Sequence, residues 1–263
     1  MSQKPTGGND KVLTPKHPKI KLLTPEETFV KALIYAEPGT GKTHLACTAP
    51  NPILLITETA VSKTTVKNVE RITGRRIPYW EINTLDDLEE AYDYLVSAQH
   101  DFQTVVLDGI TDIYHRLLAA AIDFAVTNVN RKSMHDPDLP EQSDWQRVGN
   151  KLRTMARLFR DLPMDVVITA LVMDVRNEMR SVPYIQPSKL ALEIAAYFNL
   201  VGYLYTEKVP DQGFVRKLQV EPDLRFIAKN PGGSLPPIVT NPDFTEIFNI
   251  VKKGEMNNAE ATA

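Results

Sequence analysis

The chain has 263 residues, a formal net charge of −3 and a sequence pI of about 6.0. This length is enough for one large domain or two small ones. Hydrophobic residues make up 43% of the sequence and charged residues 24%, which is typical of a soluble globular protein. The net charge neither indicates nor excludes a nucleic-acid binder, because local basic patches matter more than the sum.

Three features of the sequence exclude other classes of protein. The single cysteine, Cys47, excludes an intramolecular disulfide, and we expect it to be a small buried residue of a helix. No apolar run approaches the roughly 18 residues of a membrane span. The polar N-terminal sequence lacks the apolar region of a signal peptide. We therefore predict a cytoplasmic protein without a membrane partner.

The N-terminal segment 1–28 is a basic arm that contains few apolar residues. Without apolar side chains to form a core, this arm is predicted to be flexible. Two interpretations stay open, a solvated tail and an arm that contacts DNA or a neighbouring subunit. The lysines of the arm are Lys4, Lys11, Lys16, Lys19 and Lys21.

Predicted strands and helices alternate from residue 29 onward. Continuous apolar runs predict strands covered on both faces, and apolar residues at every third or fourth position predict helices. The predicted strands cover residues 29–36, 52–57, 104–107 and 165–172. The predicted helices cover 41–48, 85–98, 113–127, 144–160 and 189–198, and polar loops are predicted at 130–143 and 173–188. This alternation indicates a doubly wound, mostly parallel α/β sheet.

The C-terminal part of the sequence has a different pattern. Three predicted strands, at 200–208, 215–220 and 224–228, are joined by tight turns and should extend the sheet with antiparallel pairing. The small and polar end of the chain predicts a disordered tail at 251–263. The sequence therefore predicts one domain, at 29–250, between the arm and the tail.

The segment between the first strand and the first helix, Ala36–Thr43, matches the phosphate-loop pattern G-x-x-x-x-G-K-[ST] at every position but the first. Ala36 replaces the first glycine, which a backbone at negative φ would tolerate. Backbone N–H groups at the helix start are expected to bind the β-phosphate of ATP. Lys42 should reach the β- and γ-phosphates, and the Thr43 hydroxyl should bind Mg²⁺. The predicted ATP-binding residues of the loop are Glu37, Pro38, Gly39, Thr40, Gly41, Lys42 and Thr43.

Polar side chains lie at the ends of other buried strands. Asp108 ends the strand TVVLD and is predicted to anchor Mg²⁺ through water, with a helix N-cap as the alternative role. Glu58 follows the strand PILLIT and is predicted to orient the attacking water, with a solvated loop glutamate as the alternative. Thr169 either senses the γ-phosphate or is satisfied within the sheet. Lys42, Glu58 and Asp108 are therefore the predicted catalytic residues.

The phosphate loop, the glutamate of ITETA and the aspartate of VVLDGIT, taken in this order, resemble the core of the RecA and RadA recombinases. The short length and the segment 144–172 are similar to phage-encoded, RecA-like single-strand annealing proteins of the AAA-family ATP-binding type. The resemblance covers about residues 29–248 and implies a RecA-like P-loop NTPase fold.

This resemblance implies roles for two further charged residues. Glu58 matches the water-activating glutamate of the family. Lys229, in the segment FIAKN, resembles the lysine that reaches the ATP of a neighbouring subunit. Pro231 and Gly232 stand where an arginine and a phenylalanine follow in the RadA motif, so a second cationic contact is not expected. A solvated lysine after a strand is the alternative interpretation of Lys229.

The family also places two DNA-binding loops, which correspond here to 130–143 and 173–188. The first loop is acidic on balance, which argues against strong phosphate contacts. The second loop contains Arg176, Arg180 and Tyr184. The arginines would pair with phosphates and the ring would stack on a base, which is the chemistry of sequence-tolerant single-strand binding.

The resemblance therefore implies an ATP-hydrolysing protein that binds single-stranded DNA and promotes annealing or recombination. DNA would stimulate hydrolysis, and ATP would lie between the subunits of a ring or filament. Two rival functions stay open. One is an AAA-type helicase loader or assembly factor that acts on a protein partner, and the other is a nucleotide-dependent binding switch with negligible turnover.

Overall fold

The computed structural model describes residues 19, 28–97, 99–127, 136, 139–175, 178–211 and 213–260, with side chains as far as residue 253. Most of the predicted basic arm and most of the predicted loop at 130–143 lie outside these residues. Arg176 also lies outside them. The flexibility and the contacts of the arm therefore stay predictions.

One mixed sheet runs through the described residues. Its strands lie in the order β3-β2-β4-β5-β1-β7-β8-β9, with β6 paired to β5. The pairs from β3 to β7 are parallel, whereas β7-β8, β8-β9 and β5-β6 are antiparallel. The strands are β1 (Lys31–Ala36), β2 (Pro52–Ile56), β3 (Tyr79–Glu81), β4 (Thr104–Asp108), β5 (Asp165–Val175), β6 (Arg180–Pro183), β7 (Leu200–Val209), β8 (Gly213–Gln219) and β9 (Ile238–Thr240).

Helices cover both faces of this sheet. None of those in the described part of the chain is long and apolar enough to cross a bilayer. A 3₁₀ turn at Pro231–Gly233 lies between β8 and β9. The helices are α1 (Lys42–Ala46), α2 (Thr59–Thr73), α3 (Leu85–Val96), α4 (Ile110–Thr127), α5 (Gln142–Arg160), α6 (Ser188–Ala196) and α7 (Phe244–Glu260).

The side chains of β1 alternate between two layers of the hydrophobic core. Leu33 and Tyr35 belong to the layer packed against α3, α4, α5 and α6. Ala32 and Ile34 belong to the layer packed against α1, α2 and α7. Because both faces are covered, β1, β2 and β4 are buried along their whole length, which explains their continuous apolar sequences. The predicted doubly wound, mostly parallel α/β sheet with an antiparallel C-terminal extension is confirmed.

The loop predicted at 173–188 is wrong at 173–175 and at 180–183, which are strands. β5 continues to Val175 and then turns back as β6, which pairs with it in antiparallel register. Ser181 and Val182 of β6 are buried, so the polar composition of the segment concealed a strand that contributes to the core. The hairpin stands at the carboxyl edge of the parallel strands, where β5 leaves the sheet.

The strand predicted at 224–228 is also wrong, because one isolated bridge, at Phe226, forms there and no ladder. The Asp223 carboxylate accepts hydrogen bonds from the backbone N–H groups of Arg225 (2.7 Å) and Phe226 (2.6 Å), which bends the chain into a turn. The Phe226 ring then stacks on Tyr203 with 3.9 Å between ring centroids. Packing of this aromatic side chain therefore holds the segment against the sheet without the continuous backbone hydrogen bonds of a paired strand.

Two helices, α2 and α7, were not predicted. α2 is rich in threonine and valine, which have low helix propensity, and only Ser62, Val66 and Val69 of its residues are buried. α7 buries Phe244, Ile247, Phe248 and Val251, at helical spacing, against the layer that contains α1. The disordered tail predicted from residue 251 therefore begins too early, since α7 continues to Glu260.

The packing of α7 can be tested by truncating Phe248, which is 1% exposed. Phe248→Ala should lower the free energy of unfolding by about 3–5 kcal/mol, because it removes a fully buried ring and leaves a cavity. Ile250→Ala, on the exposed side of the same helix, should cost less than about 1 kcal/mol. Urea unfolding of both variants measures the difference, and equal losses would contradict the packing of α7 described above.

Candidate nucleotide-binding site

The phosphate loop joins β1 to α1 at the carboxyl edge of the parallel strands. Ala36 is the last residue of β1 and keeps extended backbone, so its methyl group is tolerated where the pattern has glycine. Gly39 and Gly41 have φ angles of 77° and 98°, a region that favours glycine. The first N–H groups of a helix have no partner within it, so the start of α1, at Lys42, offers donors to a phosphate.

Lys42 lies across this loop. Its Nζ donates hydrogen bonds to the carbonyl oxygens of Ala36 (3.2 Å) and Glu37 (3.0 Å). Burial lowers the pKa of Lys42, and the negative charges of Asp108 and Glu58 oppose this shift. A partly desolvated ammonium with two neutral acceptors would gain from replacing them with charged phosphate oxygens.

The Asp108 carboxylate is the centre of a buried hydrogen-bond cluster. It ends β4 and is only 5% exposed. Its Oδ2 accepts hydrogen bonds from Thr43 Oγ1 (2.8 Å) and Ser62 Oγ (2.9 Å), and its Oδ1 accepts one from Thr169 Oγ1 (2.8 Å). Hydroxyls from α1, α2 and β5 therefore compensate for the loss of water around one charged group. The Thr169 hydroxyl was predicted either to sense the γ-phosphate or to be hydrogen-bonded within the sheet. It donates its hydrogen bond to Asp108 on the neighbouring strand.

The oxygens of Thr43 and Asp108 fit Mg²⁺. Proteins usually supply only one or two oxygen ligands to this ion, and waters and phosphate oxygens complete its octahedral shell. Within the described ranges, no group of three or more His, Cys, Asp and Glu side chains could hold a metal ion.

Glu58 stands at the N-terminus of α2 with an exposed side chain, and it lines the same cavity as Lys42 and Asp108. The turn that carries it is held by Arg116 of α4. This guanidinium donates hydrogen bonds to the carbonyl oxygens of Thr57 (2.9 Å), Ile82 (2.8 Å) and Asn83 (2.6 Å). It also pairs with Asp112 at 2.7 Å. The residue directly before Glu58 is thus fixed to the ends of β2 and β3.

The cavity at the phosphate loop has a volume of about 590 Å³, which lies within the usual range for small-molecule sites. Its walls are the loop, the carboxyl ends of β4 and β5, one side of α2, and Arg216 of β8. The predicted catalytic residues are therefore brought together in one place. Residues of the loop and the sheet that line the cavity are Pro38, Gly39, Gly41, Lys42, Thr43, Glu58, Asp108 and Thr169.

Lys229 lies away from the phosphate loop of its own chain. Its backbone bridges to Val201, which is in register with Leu33 near the amino end of β1. Its side chain is exposed, and its Nζ donates a hydrogen bond of 2.8 Å to the carbonyl oxygen of Phe198. Contact with the ATP of a neighbouring subunit stays a prediction.

The predicted DNA-binding residues that the structure describes are on and beside the β5-β6 hairpin. Arg180 is exposed and begins β6. Tyr184 follows β6 and is half-buried, with its ring at right angles to the ring of His115 and 5.3 Å between centroids. The structure therefore brings Arg180 and Tyr184 to one side of the molecule, but part of the tyrosine ring is already in contact with protein.

Three residues of the site were missed by the sequence analysis: Ser62, Arg116 and Arg216. Ser62 lies one helical turn after Glu58, so a prediction of α2 would have placed both on the same side of that helix. Arg116 and Arg216 belong to no motif, because their roles depend on contacts between segments distant in sequence. No local pattern could have identified them.

Comparisons with known proteins identify the family of the chain. A family model described as an AAA domain matches residues 28–231. No curated protein sequence matches the chain. Among solved structures, a KaiC-like protein from the archaeon Pyrococcus horikoshii is 14% identical, with 72% of this chain and 77% of that chain covered and a TM-score of 0.36. The flagellar accessory protein FlaH from Methanocaldococcus jannaschii is 9% identical, with 80% and 84% covered and a TM-score of 0.39.

The hydrogen bonds to Asp108 predict a stability effect of Ser62. Ser62→Ala removes one of three donors from a buried carboxylate and should lower the free energy of unfolding by about 1.5–3 kcal/mol. Thr64→Ala, on the exposed side of α2, removes only a hydrogen bond to the Ala60 carbonyl and should cost less than about 1 kcal/mol. Urea unfolding without nucleotide compares the two variants, and a negligible loss in Ser62→Ala would show that this donor is dispensable.

Proposed function

The chain belongs to the AAA domain family, and we propose that it binds ATP with Mg²⁺ in the cavity at the phosphate loop and hydrolyses the bond to the γ-phosphate. One observation carries the proposal. Thr43 Oγ1 and Asp108 Oδ2 are 2.8 Å apart where the loop meets the end of β4, with Lys42 and Glu58 in the same cavity. This combination of a cation, a metal-binding pair and an exposed carboxylate is what phosphoryl transfer to water requires.

Each side chain has a distinct role in the proposed reaction. Lys42 binds oxygens of the β- and γ-phosphates, and Thr43 and Asp108 are the residues that would hold the metal. Bound Mg²⁺ would neutralise negative charge on the phosphate oxygens. Glu58 orients a water molecule in line with the γ-phosphate and accepts its proton. Arg116 keeps the turn that carries Glu58 in place, so it acts as a positioning residue.

Loss of the loop lysine should abolish turnover. Lys42→Ala removes the main cationic contact of the γ-phosphate and should lower the rate of ATP hydrolysis by at least about a thousandfold, at about 1.4 kcal/mol of barrier for each tenfold. Lys63→Ala is the matched control, because Lys63 of α2 is paired with Glu81 of β3. Phosphate release measures both rates. Turnover within about threefold of wild type in Lys42→Ala would contradict the assignment of the loop.

A second variant separates chemistry from binding. Glu58→Gln should bind ATP as tightly as wild type and hydrolyse it at least about a hundredfold more slowly, because only the base that orients water is lost. Calorimetric dissociation constants and turnover numbers measure the two effects. Glu90→Gln, an exposed glutamate of α3, is the control. Unchanged turnover in Glu58→Gln would return this residue to the role of a solvated glutamate.

We also propose that the protein binds single-stranded DNA and promotes annealing, as a ring or filament with ATP between subunits and with hydrolysis stimulated by DNA. The resemblance to RecA-like annealing proteins motivates this proposal, and the path of β5 supports it. The same strand carries Thr169, which contacts Asp108, and leads into the hairpin that presents Arg180. A change in nucleotide state at Asp108 therefore has a short, rigid connection to the proposed DNA-binding surface.

The proposed DNA contacts predict two kinds of mutant. Arg176→Ala with Arg180→Ala should flatten the plot of log affinity against log salt by about 0.7 for each phosphate that the protein no longer neutralises. Tyr184→Ala should weaken binding by roughly 1–3 kcal/mol at every salt concentration, because base stacking depends little on salt. The plot should therefore move to lower affinity without a change of slope. Fluorescence anisotropy of a labelled oligonucleotide, with ATP present, measures both effects. Arg160→Ala, whose guanidinium pairs with Asp161 before β5, is the control.

The wild-type protein separates the rival functions in the same measurement. If it does not bind the oligonucleotide at low salt, the recombination function fails and an assembly factor with a protein partner takes its place. If it binds but the hairpin variants match it, the DNA site lies elsewhere, and the lysines of the N-terminal arm are the next to be substituted.

A further inference from the structure

Arg216 of β8 connects the antiparallel part of the sheet to the phosphate loop. It is in register with Thr206 of β7 and lies 176 residues from Thr40 along the chain. Its Nε donates a hydrogen bond of 3.2 Å to the carbonyl oxygen of Thr40. The side chain lines the same cavity as Lys42 and Thr43. A second cationic side chain from the same chain therefore stands at the phosphate loop.

The contact between this guanidinium and Gly41 is close. A Cβ atom at Gly41 would lie 2.6 Å from the Nε of Arg216, a separation that real Cβ atoms essentially never show. Gly41 favours glycine because of its φ of 98°, and a side chain there would also displace the guanidinium from its present position. Arg216 packs directly on the backbone that is expected to surround the β-phosphate.

Among the described residues, no carboxylate is paired with Arg216. Within the part of the chain that the structure describes, the side chain makes the hydrogen bond to Thr40 and no ion pair. The next residue, Lys217, is by contrast paired with Glu207. Arg216 also contributes, after burial, to the lowered pKa of the nearby His44. An arginine presents a planar set of five N–H donors that matches phosphate oxygens, and only one donor is used here.

We propose that Arg216 binds the phosphate chain of a nucleoside di- or triphosphate within its own subunit. This inference rests on the proposed nucleotide-binding function and adds a ligand contact that no phosphate-loop motif contains. Lys42 and Arg216 would bind the phosphates from two elements, α1 and β8. Because β8 pairs with β7 and β9, occupation of the site would also hold the antiparallel extension against the phosphate loop.

Substitutions that separate charge from shape test the proposal. Arg216→Gln keeps an amide that can donate to the Thr40 carbonyl but has no charge, Arg216→Lys keeps the charge without the planar fork, and Arg216→Ala removes both. Lys217→Ala is the matched control on the same strand. Calorimetry with ADP and with ATP, each across a salt series, gives the dissociation constants, and inorganic pyrophosphate serves as a competitor without a base.

Arg216→Ala and Arg216→Gln should weaken ADP and ATP binding by about 10- to 100-fold, the usual range for one charge-assisted hydrogen bond. This loss of affinity should become smaller as the salt concentration rises. The dissociation constants of Arg216→Lys should lie between those of the two uncharged variants and those of wild type. Pyrophosphate should compete less well in the two uncharged variants, whereas Lys217→Ala should match wild type throughout. If Arg216→Ala does not fold, the other two substitutions decide.

Two results would overturn the inference, and they are distinguishable. If wild type binds nucleotide and Arg216→Gln binds it equally well, Arg216 only braces the loop, and the proposed function survives without it. If wild type binds neither ADP nor ATP, the proposed function itself fails and the role of Arg216 fails with it.

Discussion

The buried carboxylate of Asp108 is the constraint on which the arrangement of the site depends. Three hydroxyls donate to it from α1, α2 and β5, so one charged group ties the phosphate loop to three other elements of the fold. A carboxylate with so little access to water is stable as an anion only if such donors are present. The same hydrogen bonds that compensate for its burial therefore fix the positions of Thr43, Ser62 and Thr169.

This cluster is already suited to a metal and a nucleotide. An ionised carboxylate has about four acceptor sites, of which the three hydroxyls use three, so one remains for a metal-bound water. A hydroxyl has one donor and two lone pairs, so Thr43 can bind a metal and still donate to Asp108. A bound metal would thus add to the hydrogen bonds around Asp108 and would not replace them.

Arginines from distant parts of the chain support the site on two sides. Arg116 binds carbonyl oxygens at the ends of β2 and β3 and so fixes the turn before Glu58. Arg216 packs on Gly41 from the antiparallel extension. Neither side chain belongs to a motif, yet each restricts one wall of the cavity. A substitution that moves β8 would therefore also affect the phosphate loop, because Arg216 contacts Gly41.

The sequence alone was sufficient to predict the strands with continuous apolar sequences, their parallel pairing and the phosphate loop, because apolar runs and the glycines of Ala36–Thr43 are local signals. It also identified Asp108 and Glu58, since both directly follow such runs. The tertiary structure decided the rest. α2 and the β5-β6 hairpin have mixed composition and acquire their buried faces only by packing, and Ser62, Arg116 and Arg216 reach the site across 46, 59 and 176 residues of sequence. Contacts over such separations depend on the whole fold, so no local pattern records them.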